Sequence, residues 1–276
     1  MKSDQFQVHV AVEDRHWWFL GRRKILLDVA AAVVPPSPQR LVIDVGCGTG
    51  ANAAAFAARY RCVGIDVSEE AIDAARTRFP GVRFIHGEAP DDLGELAAEA
   101  DLWVVSDVVE HIADDAGFVR RLVSAMRPGA FLLVTVPADP GLWTRHDESF
   151  GHFRRYLPDT LRPVWSGLPV TEVGVAAFNS RLYRAIKTVR FLNRKLGRTS
   201  GAAGTDFAMP PAPVNRLLAK VLGGESGRLV QGLETGARSG ARRGVSLLAV
   251  LRREAGPAAV PNGSPTFELT KREISG

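Results

Sequence analysis

The chain has 276 residues, of which 46% are hydrophobic and 24% charged. That balance suits a globular protein with a substantial core and excludes a disordered chain, a collagen-like repeat and a coiled coil. Of the 35 bases, seven (Arg181, Arg184, Lys187, Arg190, Arg194, Lys195 and Arg198) fall between residues 178 and 200 with no acid among them, which leaves 28 bases against 30 acids elsewhere. The net charge of +5 is therefore a local feature, and no nucleic-acid partner is expected. The two cysteines, Cys47 and Cys62, make neither a disulfide framework nor a zinc spacing. A reducing, cytoplasmic setting follows as an expectation. No run reaches the roughly 18–20 apolar residues of a membrane span, and residues 1–12 do not read as a signal peptide.

Residues 15–34 predict a helix with Trp18, Ile25, Leu26 and Val29 on its apolar side, ended by Pro35, Pro36 and Pro38. Residues 41–45 predict a first strand, followed by Gly46-Cys47-Gly48-Thr49-Gly50 and an alanine-rich helix over 51–60. Strands are expected at 62–66, 82–85, 102–106 and 131–136, with helices over 69–78 and near 114–126. Strands that are apolar throughout and alternate with helices mean a parallel sheet covered on both faces. The pattern then changes. Residues 138–158 read as a polar, aromatic-rich loop and 168–175 as a sixth strand. Two helical stretches follow, near 179–196 and 214–233, then a last strand at 244–251. Residues 254–276 read as a mobile tail.

Three features point to a nucleotide ligand. A glycine loop directly after the first strand lets a ligand approach the main chain at a helix start. Asp66 stands 20 positions after Gly46, at the end of the second strand, where an acid can accept both ribose hydroxyls. Gly87-Glu88 follows the third strand, placed to line an adenine pocket. The loop also fits the dinucleotide fingerprint through Gly46, Gly48 and Ala51. Asp44 separates the alternatives: a fixed negative charge beside the loop suits a cationic ligand and suits a pyrophosphate poorly.

With these residues in view, the sequence resembles the class I S-adenosylmethionine-dependent methyltransferases. Val42-Ile43-Asp44-Val45-Gly46-Cys47-Gly48-Thr49-Gly50 is similar to their first motif, and Gly64-Ile65-Asp66-Val67-Ser68 to their second-strand motif. Ser106-Asp107-Val108-Val109-Glu110-His111-Ile112 and Arg127-Pro128-Gly129-Ala130 resemble the segments around their fourth and fifth strands. The resemblance implies an α/β fold, a doubly wound seven-stranded, mostly parallel, Rossmann-like sheet with a helical insertion before the last strand. It implies a helical cap at 1–38, a cofactor-binding core at 39–176, an insertion forming an acceptor cap at 177–242, and a last core strand at 243–253. S-adenosylmethionine is the implied cofactor, with contacts at Asp44, Gly46, Gly48 and Gly50, at Asp66 with Val67, at Glu88, and at Asp107 near the methionine moiety. The helix carrying His16-Trp17-Trp18-Phe19-Leu20-Gly21-Arg22-Arg23 is similar to one that covers the cofactor in a subgroup, which brings in Trp18 and Arg22, the arginine suiting the cofactor's carboxylate.

Methyl transfer from a sulfonium needs alignment and exclusion of water, and a hydroxyl acceptor benefits from a general base. His111, His146 and His152 are candidates, with His146 and His111 taken as catalytic. Asp107, Glu110 and His111 lie at near-helical spacing that a divalent ion could use, but no metal is assigned. The acceptor expected is a small molecule or a lipid-linked saccharide, methylated on oxygen. The basic stripe from Arg181 to Arg198 either lies on anionic lipid, faces a phosphate-bearing acceptor, or is a solvated helix face. Two other functions compete. One is a nicotinamide oxidoreductase, for which Tyr183 and Lys187 spell an accidental Tyr-x-x-x-Lys. The other is a cofactor-binding scaffold without catalysis.

Overall fold

The structure is a computed structural model that describes residues 10–196, 206–235 and 243–255. The expected tail from 256 onward and Arg198 lie outside the described residues. The sheet has seven strands: β1 (Leu41–Val45), β2 (Arg61–Asp66), β3 (Arg83–His86), β4 (Leu102–Ser106), β5 (Phe131–Pro137), β6 (Val170–Phe178) and β7 (Ser246–Arg253). Their order is β3-β2-β1-β4-β5-β7-β6. β7 is antiparallel to both β5 and β6, and every other pairing is parallel. The chain reverses its direction of winding between β1 and β4. Open α/β sheets bind ligands in the crevice at such a point, beyond the carboxyl ends of the strands.

Burial on both faces explains the unbroken apolar strands. Along β4, successive side chains alternate between faces. Trp103 and Val105 pack with Phe118 and Leu122 of the helix Asp115–Ala125. Leu102 and Val104 pack with Ile25, Leu26 and Val29 of α1 (Trp17–Val33) and Phe56 of α2 (Ala51–Ala57). Both layers are fully removed from water, so truncating a residue such as Leu102 to alanine is expected to cost about 2–5 kcal/mol.

The remaining helices, in chain order, are α3 (Glu69–Arg78), α4 (Leu96–Glu99), α5 (Asp115–Ala125), α6 (Arg145–Ser149), α7 (Pro158–Leu161), α8 (Tyr183–Lys195), α9 (Ala212–Gly223) and α10 (Ser226–Thr235). Two differ from the reading of the sequence. The stretch 214–233 is two helices, because the chain breaks at Gly223-Gly224 and buries Glu225, whose carboxylate accepts from the backbone N–H groups of Ser180 and Arg181. The loop after β5 contains α6, closed at its start by Thr144 and Asp147 in a capping box.

The insertion is tied to the N-terminal helix. A Cβ at Gly21 of α1 would lie 2.8 Å from Leu222 Cβ of α9, so glycine is what lets the two helices approach. Asn215 of α9 accepts from Trp17 N–H at 2.8 Å and donates to the Arg15 carbonyl at 2.7 Å. α1 and the insertion together roof the crevice at the carboxyl edge of the sheet.

Candidate active site

One cavity of about 1120 Å³ runs from the glycine loop to the three histidines. Its first half is built on β1 and β2. Gly46 and Cys47 donate to the Ile65 carbonyl at 2.8 and 3.1 Å, which folds the loop back over β2. Gly46, Gly48 and Gly50 all have positive φ. At Gly46 the reason is space as well as conformation, since a Cβ there would sit 2.4 Å from Val108 Cγ2. Asp66 pins the loop by accepting from Gly48 N–H at 2.8 Å and Ser68 N–H at 2.9 Å. Asp66, Val67 and Glu88 all line the cavity. Glu88 is exposed and paired to Arg121 at 2.6 Å.

Asp44 is placed differently from its expected position at the loop's mouth. It is buried within β1, behind the loop, and does not line the cavity. One carboxylate oxygen has no hydrogen-bond partner among the described residues. Burial and the neighbouring Asp66 push its carboxyl up to about 7, against the Ala53 N–H, Arg22 and Arg23.

Arg22 and Trp18 do line the cavity. The guanidinium of Arg22 lies 4.6 Å from the Trp18 ring centre. It is ion-paired with Asp107 and donates to Ser106 Oγ at 2.8 Å and to Thr135 Oγ1. Burial brings this arginine down to about 10, with Glu110 and Asp44 opposing. Asp107 turns toward it from a backbone with φ of 57°. A strap ahead of α1 closes over the loop, where Glu13 accepts from Thr49 Oγ1 and pairs with Arg78. Sequence reading missed Glu13 and Arg78, which lie far apart in the chain and join only through the fold.

The second half gathers His111, His146 and His152 at one place. His111 ends a short turn after β4, His146 comes from α6, and His152 from the loop behind it. The ring centres of His111 and His152 are 4.7 Å apart, and those of His146 and His152 are 6.3 Å apart. Phe150 and Phe207 pack on His146 at 4.6 and 5.1 Å. Phe207 was missed because it follows a glycine-rich stretch without periodicity.

His146 is a poor fit to the base role expected of it. Burial and the nearby Arg190 pull it down to about 3. Its Nδ1 receives the Asp206 N–H at 3.1 Å, so the neutral ring carries its proton on Nε2 and offers a donor. His152 is set the other way, with Nδ1 2.9 Å from Asp147 Oδ1. Burial alone would raise the Asp147 carboxyl, but His152, Arg155 and the Thr144 N–H hold it well below the usual range. It is therefore a pure acceptor, and His152 Nδ1 carries the proton. Burial brings His111 down to about 4, with the Phe150 backbone opposing. Arg155 and Tyr156 fasten the loop itself, to the Ala138 carbonyl at 3.1 Å and to Asp115 at 2.8 Å.

Glu110 sits between the halves, wholly buried, with both carboxylate oxygens unpartnered among the described residues. Burial pushes it up to about 8. Tyr183 and Lys187 lie outside the cavity lining and form a latch with Asp139, at 2.5 and 3.0 Å, so their spacing serves no nicotinamide site there. The basic stripe is also divided. Arg190 turns inward to Asp206 at 2.8 Å and Lys187 is taken by Asp139. Arg184, Arg194 and Lys195 stay exposed.

Residues 42–129 match the family model of a methyltransferase domain. A trans-aconitate 2-methyltransferase of Acidovorax ebreus is 31% identical over 119 residues, 42% of this chain and 45% of that protein. A probable S-adenosylmethionine-dependent methyltransferase of Mycolicibacterium smegmatis is 38% identical over 102 residues, 36% of this chain and 38% of that one. The chain thus spans less than half the length of these curated relatives. Two solved structures share the fold. The plantazolicin methyltransferase BamL, crystallised with SAH, has a TM-score of 0.54 at 11% identity and covers 92% of this chain and 90% of its own. The [4+2]-cyclase SpnF has a TM-score of 0.52 at 18% identity and covers 86% and 82%.

The sheet order and the matched segment define a Rossmann-like methyltransferase fold. Residues 42–129 match the methyltransferase-domain model and carry the motifs that resemble the class I S-adenosylmethionine-dependent methyltransferases, whose cofactor is S-adenosylmethionine. The residues present fit that group. The loop is open at Gly48, where a Cβ would meet nothing within 4 Å, and the Asp66 carboxylate stands at the cavity wall beside it.

Proposed function

We propose that this chain methylates an oxygen on a small or lipid-linked acceptor, such as a saccharide, at the expense of S-adenosylmethionine. The observation that carries this reading is the continuous cavity joining the glycine loop to a half-buried cluster of histidines. S-adenosylmethionine supplies a methyl group already activated on a sulfonium. The protein's task is then to align and to exclude water. Gly46, Gly48 and Gly50 would bring main chain to the nucleoside, Asp66 would accept its ribose hydroxyls, and Val67 and Glu88 would border the base. Arg22 would hold Asp107 in place, with Trp18 as a lid.

The acceptor would enter the half lined by His111, His146, His152, Phe150 and Phe207. His146 would donate from Nε2 and orient an acceptor oxygen. His111 and His152 would border the reacting oxygen beside it. Several relatives are trans-aconitate methyltransferases, but His146, Phe150, His152 and Phe207 of this chain all lie after residue 129, outside the segment that matches the methyltransferase-domain model. Their chemistry therefore guides the choice of acceptor.

Contact with anionic membrane is part of the same reading. Phe191 and Leu192 of α8 are 47% and 50% exposed beside Arg194 and Lys195, while Ile186 and Val189 of the same helix line the cavity. A lipid-linked acceptor could thus reach the cavity along α8. Calorimetry with S-adenosylhomocysteine and with NADH tests the cofactor: heat with NADH alone would reject the reading. Incubation of labelled S-adenosylmethionine with fractionated extract tests the transfer. An intact cofactor site with no labelled product would favour a scaffold.

A further inference from the structure

Glu110, His111 and His152 each bring one donor atom to within 4.8 Å of the other two. Glu110 is wholly buried, and neither of its carboxylate oxygens accepts a hydrogen bond among the described residues. A buried carboxylate with two idle oxygens is costly and calls for a partner. The two cations that act on it electrostatically, Arg22 and Arg155, have other partners and make no hydrogen bond to it, although Arg22 Nε is itself unpartnered among the described residues. Arg22 is held by Asp107, Ser106 and Thr135, and Arg155 by Asp147 and the Ala138 carbonyl.

The His152 imidazole is oriented from behind. Nδ1 of His152 donates to Asp147, which also receives Arg155 at 2.8 Å. The His111 ring meets that of His152 edge-on, with ring centres 4.7 Å apart. The contact with Asp147 sets the His152 tautomer and leaves its Nε2 as a lone pair. Carboxylate and carbonyl groups behind histidines are how metal-binding imidazoles are ordinarily fixed.

We propose that Glu110, His111 and His152 hold a divalent transition ion of the zinc class, with its remaining coordination positions open to the cavity. Two imidazole nitrogens and one carboxylate oxygen suit such an ion, whereas magnesium and calcium favour oxygen donors throughout. Bonds of about 2.1 Å to a tetrahedral ion place donor atoms about 3.4 Å apart, so side-chain movements of about 1–1.5 Å close the set. His146 stays outside it, since its Nδ1 is taken by the Asp206 N–H. Asp107, grouped with Glu110 and His111 by sequence spacing, is also outside it because Arg22 holds it. The reading of the sequence assigned no metal, since His152 joins the other two only through the loop after β5. The role of the ion rests on the proposed methyl transfer: it would polarise an acceptor oxygen reaching its open positions.

The test uses the full chain, stripped with a chelator and titrated with Zn²⁺ by calorimetry and with Co²⁺ by visible absorption. One equivalent of either ion should bind, and Mg²⁺ at the same concentration should not compete. Glu110→Gln and His152→Ala should each weaken Zn²⁺ binding about 10–100-fold, and His86→Ala, at an exposed histidine remote from the cluster, should leave it unchanged. S-adenosylhomocysteine titrated into the same samples reports that each variant is folded. Failure of the wild type to bind, or unchanged binding in a Glu110→Gln or His152→Ala variant, overturns the proposal. Should the variants lose their fold, X-ray absorption at the zinc edge of the wild type decides: two imidazoles and no sulfur support the site, and a sulfur shell refutes it. Zinc binding without S-adenosylhomocysteine binding would support the site while removing the methyl-transfer reading.

Discussion

Arg22 of α1 is ion-paired with Asp107 at the end of β4, so the N-terminal helix is fastened electrostatically to the crevice of the sheet. The pair is mostly out of water, with side-chain exposures of 7% and 24%. Breaking such a pair from one side strands a buried charge, which typically costs about 3–5 kcal/mol, whereas removing both charges together costs far less. Asp107→Ala should therefore destabilise the protein more than the double variant Arg22→Met, Asp107→Ala. Urea unfolding of the two variants and the wild type measures this. A double variant at least as destabilised as Asp107→Ala would show that no stranded charge is relieved by removing Arg22.

Asp44 makes a pH-dependent prediction. Its carboxyl is raised from 3.8 to about 7 in the folded chain. Below about pH 4 both states are protonated and the residue has no effect. Between about pH 4 and 7 the unfolded chain releases a proton that the folded chain keeps, so folding stability falls as pH rises. The loss levels off above pH 7, at of the order of 4 kcal/mol. Asp44→Asn should match the wild type at pH 4 and exceed it in stability at pH 8. The same variant should bind S-adenosylmethionine more weakly if the charge serves the cation. A stability gain that does not grow with pH would refute the assignment of this strain to ionised Asp44.

Much of this was legible in the sequence, for physical reasons. The strands read clearly because β1, β4 and β7 are buried on both faces and are written as nearly continuous apolar runs, β1 being interrupted by Asp44 alone. The Asp66 position followed from its spacing to Gly46, and the structure places it against Gly48 N–H. Side-chain partners across the fold were not legible. Arg22 was read toward the cofactor, but its nearest carboxylate is on Asp107, and that pairing depends on how α1 crosses β4. Glu110 gave no sign of burial, because a short turn after β4, not a periodic helix, points it inward. Arg190 fits the exposed basic stripe by spacing, yet its partner Asp206 lies beyond the end of the helix.

His146 should behave as a positioning group. It titrates at about 3 and presents an N–H, so it contributes no ionisation between pH 5 and 8. His146→Gln should lower kcat/KM by about 10-fold, mainly through KM, and leave the shape of the pH–rate profile unchanged. Steady-state kinetics across that pH range, with the acceptor found by labelling, provide the check. Loss of a limb of the profile in this variant would restore His146 as the base.

The exposed face of α8 carries apolar and basic groups together. Phe191, Leu192 and Leu196 are 47%, 50% and 63% exposed, and Lys195 Nζ lies 4.8 Å from the Phe191 ring centre. On an anionic surface each basic residue contributes about 1 kcal/mol, screened by salt, while the apolar groups add a term that salt leaves intact. Full-length protein should therefore pellet with vesicles containing phosphatidylglycerol at low salt, and less with purely zwitterionic vesicles. Phe191→Ser together with Leu192→Ser should reduce the bound fraction about 10-fold or more while leaving S-adenosylhomocysteine affinity intact, because neither residue lines the cavity. Pelleting that is equal for the variant and the wild type would locate the lipid contact elsewhere. Absence of pelleting at low salt would leave α8 as a solvated wall of the acceptor cavity.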